Sequence, residues 1–217
     1  MFFKGEGKNN ILYALVAISV VLIIFFTILL SNQLTMAYID DSVLIGWTED
    51  IQQRDGNDNL FNLDKWASFT YRNNDDSFPA YVTVTSIKTI FMLSEDDLLD
   101  RTIEAINNAK KDGIIIDEDS FFQGKRKIND GHESMFVSYT GNDTSKIPNE
   151  QIRIIGETWN CVVSGSSVIC IGFAQISDYS HNIQDTDLTY WGQIVGDKIG
   201  SLGFQNESGL IYNVICH

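Results

Sequence analysis

The chain has 217 residues and carries 29 Asp and Glu against 15 Lys and Arg, a formal net charge of −14. That balance excludes a general nucleic-acid binder, which needs a basic footprint to neutralise phosphates. With 44% apolar residues, 12% aromatic residues and only two prolines, disordered, collagen-like and Pro-rich classes are excluded too, and the length fits one domain with an appendage.

Residues 11–30 read ILYALVAISVVLIIFFTILL, without a charge. About 20 helical residues at 1.5 Å rise span the roughly 30 Å hydrocarbon core of a bilayer. The hydroxyls of Tyr13, Ser19 and Thr27 can bond their own helix backbone. The run exceeds the hydrophobic region of a signal peptide, and Ser31-Asn32-Gln33-Leu34-Thr35-Met36 offers no small-residue cleavage site. The expectation is a retained transmembrane helix over 11–31. Lys4 and Lys8 precede it, whereas Asp40, Asp41, Glu49 and Asp50 follow before the next base, Arg54. The positive-inside rule then makes 1–10 a cytoplasmic tail and exports the rest. Setting aside Glu6, Lys4 and Lys8, residues 32–217 hold 28 acidic and 13 basic residues.

Residues 32–63 lack a sustained period and read as a membrane-proximal segment. Its cluster Leu44-Ile45-Gly46-Trp47 is too apolar for a linker, and Leu44 and Trp47 are candidates for partner docking. Asp55, Asn57 and Asn59 offer oxygen ligands close together as a weak cation candidate. An EF-hand is excluded, because the sixth and twelfth places from Asp55 hold Leu60 and Trp66.

Residues 64–217 read as one extracytoplasmic domain. Strands are expected over 66–72 and 81–91, rich in Thr and β-branched residues, around the turn Asn73-Asn74-Asp75-Asp76-Ser77. Ser94 is an N-cap with acids behind it, and Leu98, Leu99, Ile103, Ile106 and Ala109 fall at helical spacing. Strands follow over 114–117, 121–128 and 133–139, the last two joined by the hairpin signal Asn129-Asp130-Gly131. Lys125-Arg126-Lys127 is the only basic run of this part. It is read either as protection of an exposed strand edge or as a docking patch.

Two β-rich runs, 151–163 and 167–176, meet at Ser164-Gly165-Ser166-Ser167. A two-residue turn at Gly165-Ser166 would place Cys161 opposite Cys170, close enough for a disulfide. The alternative is two buried free thiols that pack as small hydrophobes. Cys216 is left over, either free or bridged to another subunit or to one of the other two. Asn142-Asp143-Thr144 and Asn206-Glu207-Ser208 are glycosylation sequons, at Asn142 and Asn206. A last helix is expected beyond Asp187, with Leu188, Trp191, Ile194, Val195, Ile199 and Leu202 as its buried stripe and Gly192, Gly196 and Gly200 as a second stripe.

No catalytic constellation is found. His132, His181 and His217 are not at metal-ligand spacing, His132 reading as a loop histidine. There is no nucleophile elbow, P-loop or dinucleotide fingerprint. Cys216 and His217 pair a thiolate with an imidazole, both good ligands for a soft metal, as a second weak candidate. No cofactor is expected.

The element order is that of an α+β fold with an antiparallel sheet. The segments WASFTY, DDLLDRTIEAI, GHESMFVSYTG, IRIIGETWNC, SSVICIGFAQ and YWGQIVGDKIGSLGF, with Trp191 and Ser201-Leu202-Gly203-Phe204 closing the series, resemble the PsbP family of extrinsic photosystem subunits over residues 64–204. The resemblance implies an α/β/α sandwich-like domain and a non-enzymatic accessory subunit. The full expectation is one N-terminal transmembrane helix followed by that domain. Such a protein would cap and stabilise a multi-subunit membrane enzyme, for which a membrane oxidoreductase or monooxygenase is one host. Its partners would be integral-membrane subunits, with lipid around the helix and no nucleic acid. The alternative is a free-standing cell-surface ligand-binding or sensor domain, and a third reading is an enzyme using Cys216 and His217.

Overall fold

The computed structural model describes residues 19–20, 33–57, 64–179, 186–197 and 208–217. The chain divides into two compact units, 1–33 and 34–217. In the first, only residues 19–20 and 33 are described, and 19–20 are helical.

In the second unit the described strands are β1 (Tyr38–Ile39), β2 (Trp47–Glu49), β3 (Asp55–Asn57), β4 (Lys65–Asn73), β5 (Ala80–Lys88), β6 (Ile114–Lys127), β7 (Glu133–Asp143), β8 (Glu150–Cys161), β9 (Ser166–Gln175) and β10 (Val214–Ile215). The helices are α1 (Glu95–Asn108) and α2 (Thr189–Val195). The main sheet runs β2-β4-β5-β9-β8-β7-β6, wholly antiparallel, with β3 beside β2 on the outer edge of β4. A two-stranded ribbon pairs β1 with β10.

The strand period of two sorts the side chains onto two faces. One face carries Ile114, Ile116, Val137, Tyr139, Ile152, Ile154 and Phe173, covered by Leu99, Ile103 and Ile106 of α1. Ser94 caps that helix by accepting from the Asp97 N–H at 3.1 Å, and three acids fill its first turn. The helix can lie close because β8 has Gly156 beneath it. A Cβ there would stand 2.2 Å from Thr102 Cγ2 and 3.0 Å from Ile106 Cδ1. The opposite face carries Val82, Val84, Phe136, Ile155, Trp159 and Cys170. It is covered by Trp191, Ile194 and Val195 of α2, by Leu210, Ile211 and Val214, and by Ala37 and Ile39.

Two expectations are overturned. The transmembrane helix over 11–31 lies outside the described residues except at 19–20, and among the described residues no helix is long and apolar enough to cross a membrane. The longest, α1, has 14 residues, about 21 Å at 1.5 Å per residue and short of a bilayer core. The reading of a single-pass membrane protein with a cytoplasmic tail and an extracytoplasmic domain is therefore corrected.

The fold class is corrected with it. In place of a transmembrane helix and an α/β/α sandwich, the described structure is mainly antiparallel sheet with two helices. The expected last helix fails at Gly196, which takes φ 82° in the left-handed region and closes α2 after seven residues by donating to the Gly192 carbonyl. A Cβ on Gly196 would also stand 2.2 Å from the Ser208 carbonyl oxygen. The second face is consequently covered largely by irregular segments. The outer part of the expected stripe, Ile199, Gly200 and Leu202, lies outside the described residues.

Gly156→Ala overpacks the α1 interface and should cost about 1–3 kcal/mol, read as a lower urea midpoint with an unchanged m-value.

Candidate metal centre

The hairpin between β8 and β9 differs from the expected two-residue turn. Cys161 pairs with Ser166 and Cys170 with Glu157, so residues 162–165 form a four-residue loop. The longer loop shifts the register and separates the two cysteines, and all three cysteines are buried free thiols. The expected Cys161–Cys170 disulfide is thereby corrected.

Cys161 is instead brought to a different corner. It is the last residue of β8 and faces the apolar layer beneath β10. The turn between β6 and β7 is closed by the Ile128 N–H bonding the His132 carbonyl at 3.0 Å and the Gly131 N–H bonding the Ile128 carbonyl at 2.9 Å. It presents Asp130 and His132. The C-terminal segment is tied to the same turn, since the Asn129 N–H donates to the Tyr212 carbonyl at 3.0 Å and the Cys216 N–H to Asp130 Oδ2 at 3.3 Å. Three separate pieces of backbone therefore converge on one point.

At that point one ligand atom from each of His132, Cys161, Cys216 and His217 lies within 4.8 Å of the others. Cys161 Sγ is 3.6 Å and Cys216 Sγ 3.8 Å from His217 Nδ1. A zinc ion with bonds of about 2.3 Å to sulfur and about 2.05 Å to nitrogen, at tetrahedral angles, would hold S and N about 3.6 Å apart. The two imidazoles stand edge to face with centroids 5.6 Å apart. His132 Nε2 is buried without a hydrogen-bond partner, and a nitrogen lone pair left so is costly unless something else takes it. Asp130 Oδ2 lies 3.2 Å from His217 Nδ1, 3.7 Å from His132 Nε2 and 3.3 Å from Cys216 Sγ, whose thiol donates to it.

The electrostatics divide the two thiols. Burial pushes Cys161 up, but hydrogen bonds with Cys216, Ser164 and His217 outweigh it and leave the thiol below its ordinary range. Burial foremost, then the Cys161 neighbour, raises Cys216. The His217 imidazole is raised, first by its hydrogen bond with Cys161 and further by Asp130. A chain folded in this way gathers two sulfurs, two imidazoles and a carboxylate at one corner. Two thiolates and two imidazoles are the donor set of tetrahedral zinc sites.

No protein family, curated protein or solved structure matches the chain.

The other sequence candidates fall elsewhere. Asp55 and Asn57 lie in β3, paired in register with Ser68 and Trp66, and Asn59 is outside the described residues. The Asp55 carboxylate turns back to accept from the Gly56 N–H at 2.8 Å. Among the described residues, the His132–Cys161–Cys216–His217 group is the one place where three or more His, Cys, Asp or Glu could hold an ion. Trp47 is 4% exposed, its indole N–H donating to Gln193 Oε1 at 2.7 Å, and Leu44 packs against the same core. Trp47 is thus an internal anchor, because its ring fills the layer under α2, and it offers no docking surface. Asn142 is exposed within β7, and Asn206 lies outside the described residues.

The basic run is split by the strand period. Lys125 and Lys127 point outward, Lys125 toward Glu95 and Glu133. Arg126 points inward and forks onto Glu157, with Nε 2.8 Å and Nη2 2.5 Å from the carboxylate oxygens. It is no part of a docking patch.

His132 and the role of Asp130 escaped the sequence, because the ligands come from three stretches as far as 86 residues apart. The adjacent Cys216 and His217, a weak metal candidate in the sequence, are the two ligands that sequence reasoning found. Arg126→Met would leave the Glu157 carboxylate buried without its cation. It should destabilise the domain by about 3–5 kcal/mol, measured by denaturant unfolding. A loss below about 1 kcal/mol would mean that the pair is no more than a surface ion pair in effect.

Proposed function

We propose that the protein is a non-catalytic binding domain with a transition-metal centre of the zinc class, ligated by His132, Cys161, Cys216 and His217. The observation that carries this reading is the convergence of two thiols and two imidazoles within 4.8 Å, with both sulfurs at 3.6–3.8 Å from His217 Nδ1, close to the separation a tetrahedral ion would set, and with His132 Nε2 buried without a hydrogen bond. Four protein ligands close the coordination shell. A shell without an open position suits structure and assembly rather than catalysis, which needs a site for water or substrate. In this reading the ion cross-links the β6–β7 turn, the end of β8 and the segment after β10, with the Asp130 carboxylate beside the same imidazole nitrogens, 3.2 Å from His217 Nδ1 and 3.7 Å from His132 Nε2.

The binding part of the proposal is supported by one end of the sheet. Phe91 is 84% exposed, Val162 73% and Val163 71%, and Ile90 and Met92 stand out beside them. The two loops that carry them are fastened together, since Asn160 Nδ2 donates to the Leu93 carbonyl at 2.9 Å and Lys88 Nζ to the Ser164 carbonyl at 3.2 Å. A rigid apolar tip of this kind marks an interaction site. It favours an accessory subunit that inserts Phe91 and Val163 into a recess of a larger protein assembly.

Two measurements test these parts separately. Metal-free, reduced protein titrated with Co2+ should take up one equivalent and develop the intense visible bands of tetrahedral thiolate coordination. His132→Ala should weaken uptake, and Cys216→Ser should diminish the thiolate bands to those of one sulfur ligand. Octahedral, thiolate-free Co2+ spectra would sink the metal reading. For the tip, Phe91→Asp combined with Val163→Asp should release the polypeptides that co-purify with the native protein while leaving the unfolding midpoint unchanged. Unaltered co-purification would remove the docking role.

A further inference from the structure

We infer that Cys161 and Cys216 are a redox couple as well as ligands, so that a metal ion and a Cys161–Cys216 disulfide are alternative states of the same corner. The metal half of this inference rests on the reading above, and the disulfide half rests on the sulfur geometry alone.

The two sulfurs are within 4.8 Å of one another, and a disulfide needs about 2.05 Å. Less than 3 Å of approach separates the two arrangements. Both sulfurs reach the corner from places where the backbone can adjust. Cys161 ends β8 at the mouth of a four-residue loop, and Cys216 follows the two-residue strand β10. The third cysteine is built differently. Cys170 lies mid-strand in β9 opposite Glu157, fully buried and outside the quartet, and so serves as an internal control.

Access is narrow, because Cys161 and Cys216 are themselves buried and the corner opens to solvent past His217, whose side chain is 34% exposed. A small hydroperoxide therefore fits the site better than a bulky disulfide reagent. In the step inferred, the Cys161 thiolate attacks one oxygen of the hydroperoxide and the O–O bond breaks. Cys161 becomes a sulfenic acid, and the leaving oxygen departs as hydroxide or alkoxide and takes up a proton. The Cys216 sulfur then attacks the Cys161 sulfur, forming the S–S bond and expelling hydroxide, while the Cys216 proton passes by way of Asp130 to that hydroxide. Two electrons leave the thiol pair and reduce the hydroperoxide. With hydrogen peroxide the balance is two thiols plus one peroxide giving one disulfide plus two waters. Once the sulfurs are joined, two of the four ligands are gone and the ion cannot be held. While the ion is bound, it draws charge from both sulfurs and holds them apart as ligands, so the attack is slowed and the S–S bond cannot close.

The test uses the full chain, reduced and freed of metal, and treated with hydrogen peroxide. Thiols counted in denaturant should fall from three to one, and peptide mapping should join Cys161 to Cys216. The Cys170→Ser chain should fall from two to none. With Zn2+ present at about ten times its dissociation constant, the rate should drop about tenfold. Three persistent thiols, or a link that includes Cys170, would overturn the couple. A 161–216 link formed at the same rate with and without Zn2+ would overturn the mutual exclusion. The Co2+ spectrum of the reduced chain reports the metal reading independently, so failure of the ion and failure of the disulfide are told apart.

Discussion

The domain hangs on one buried ion pair. Arg126 of β6, with its side chain 9% exposed, forks onto Glu157 of β8, which is 0% exposed. The same guanidinium donates through Nη1 to the Val195 carbonyl at 2.8 Å, where α2 ends. Ser134 of β7 donates to Glu157 Oε1 at 2.6 Å. Three strands and a helix terminus thus share a single hydrogen-bonded node. Two charges taken out of water cost several kcal/mol each, and only good geometry with every remaining donor and acceptor satisfied recovers it. The node meets that condition, since the carboxylate accepts from both Arg126 and Ser134 and the guanidinium spends its remaining arm on a helix-terminal carbonyl that needs a donor. Such a pair tolerates no slip of register between β6, β7 and β8, because a shift of one residue would send Arg126 to the opposite face.

The candidate metal centre inherits that registration. Arg126 is two residues before Ile128, where the β6–β7 turn begins, so fixing Arg126 fixes where Asp130 and His132 are presented. Glu157 is four residues before Cys161 on the same strand and the same face, so the same pair also sets where the β8 sulfur points. The third component, the segment ending in Cys216 and His217, is held by β1 on one side and by the turn on the other. The ligands are therefore carried by a tight turn, a strand end and a segment tied to both by hydrogen bonds, each registered by the sheet.

Much of the second unit was legible locally. The helix opening at Ser94, the strands over 66–72 and 133–139 and the turn at Asn129-Asp130-Gly131 rest on short-range chemistry and are present with strand ends displaced by a few residues, whereas the strands expected over 114–117 and 121–128 are one continuous strand, β6, with a register shift between Asp117 and Phe122. What failed needed tertiary information. A row of glycines at i, i+4 reads as a helix stripe, but Gly196 is a left-handed stop because Ser208 crowds it from twelve residues away in an unrelated segment. The Val162–Gly165 loop shifted the hairpin register by four in the sum of paired residues, and this broke the Cys161–Cys170 pairing on which the disulfide depended. The basic run misled for a related reason: a strand turns alternate residues inward, and three adjacent cations cannot all face solvent. The metal quartet was half legible: the adjacent Cys216 and His217 stood out as a thiol–imidazole pair, whereas His132 and Cys161 had no local signature. Its four residues come from a turn, a strand end and a C-terminal segment, and only the sheet order brings them together.

The charge of the chain and the chemistry of the corner fit together. A protein at −14 attracts divalent cations in general, and exposed carboxylates on this surface can gather them loosely. The corner selects among them, because sulfur and imidazole donors suit zinc-class ions far better than the hard cations that carboxylates prefer. Two thiolates with one divalent ion sum to zero charge, so a loaded centre can be half-buried without the penalty that an unpaired thiolate would meet there. In the absence of an ion, the two sulfurs are held as thiols bonded to Asp130 and the Cys216 carbonyl or are joined to one another, and neither arrangement leaves a buried sulfur charge without a partner. Both outcomes keep the β6–β7 turn, the end of β8 and the last strand fastened at one point, so the corner joins three distant stretches of chain whichever state its sulfurs adopt.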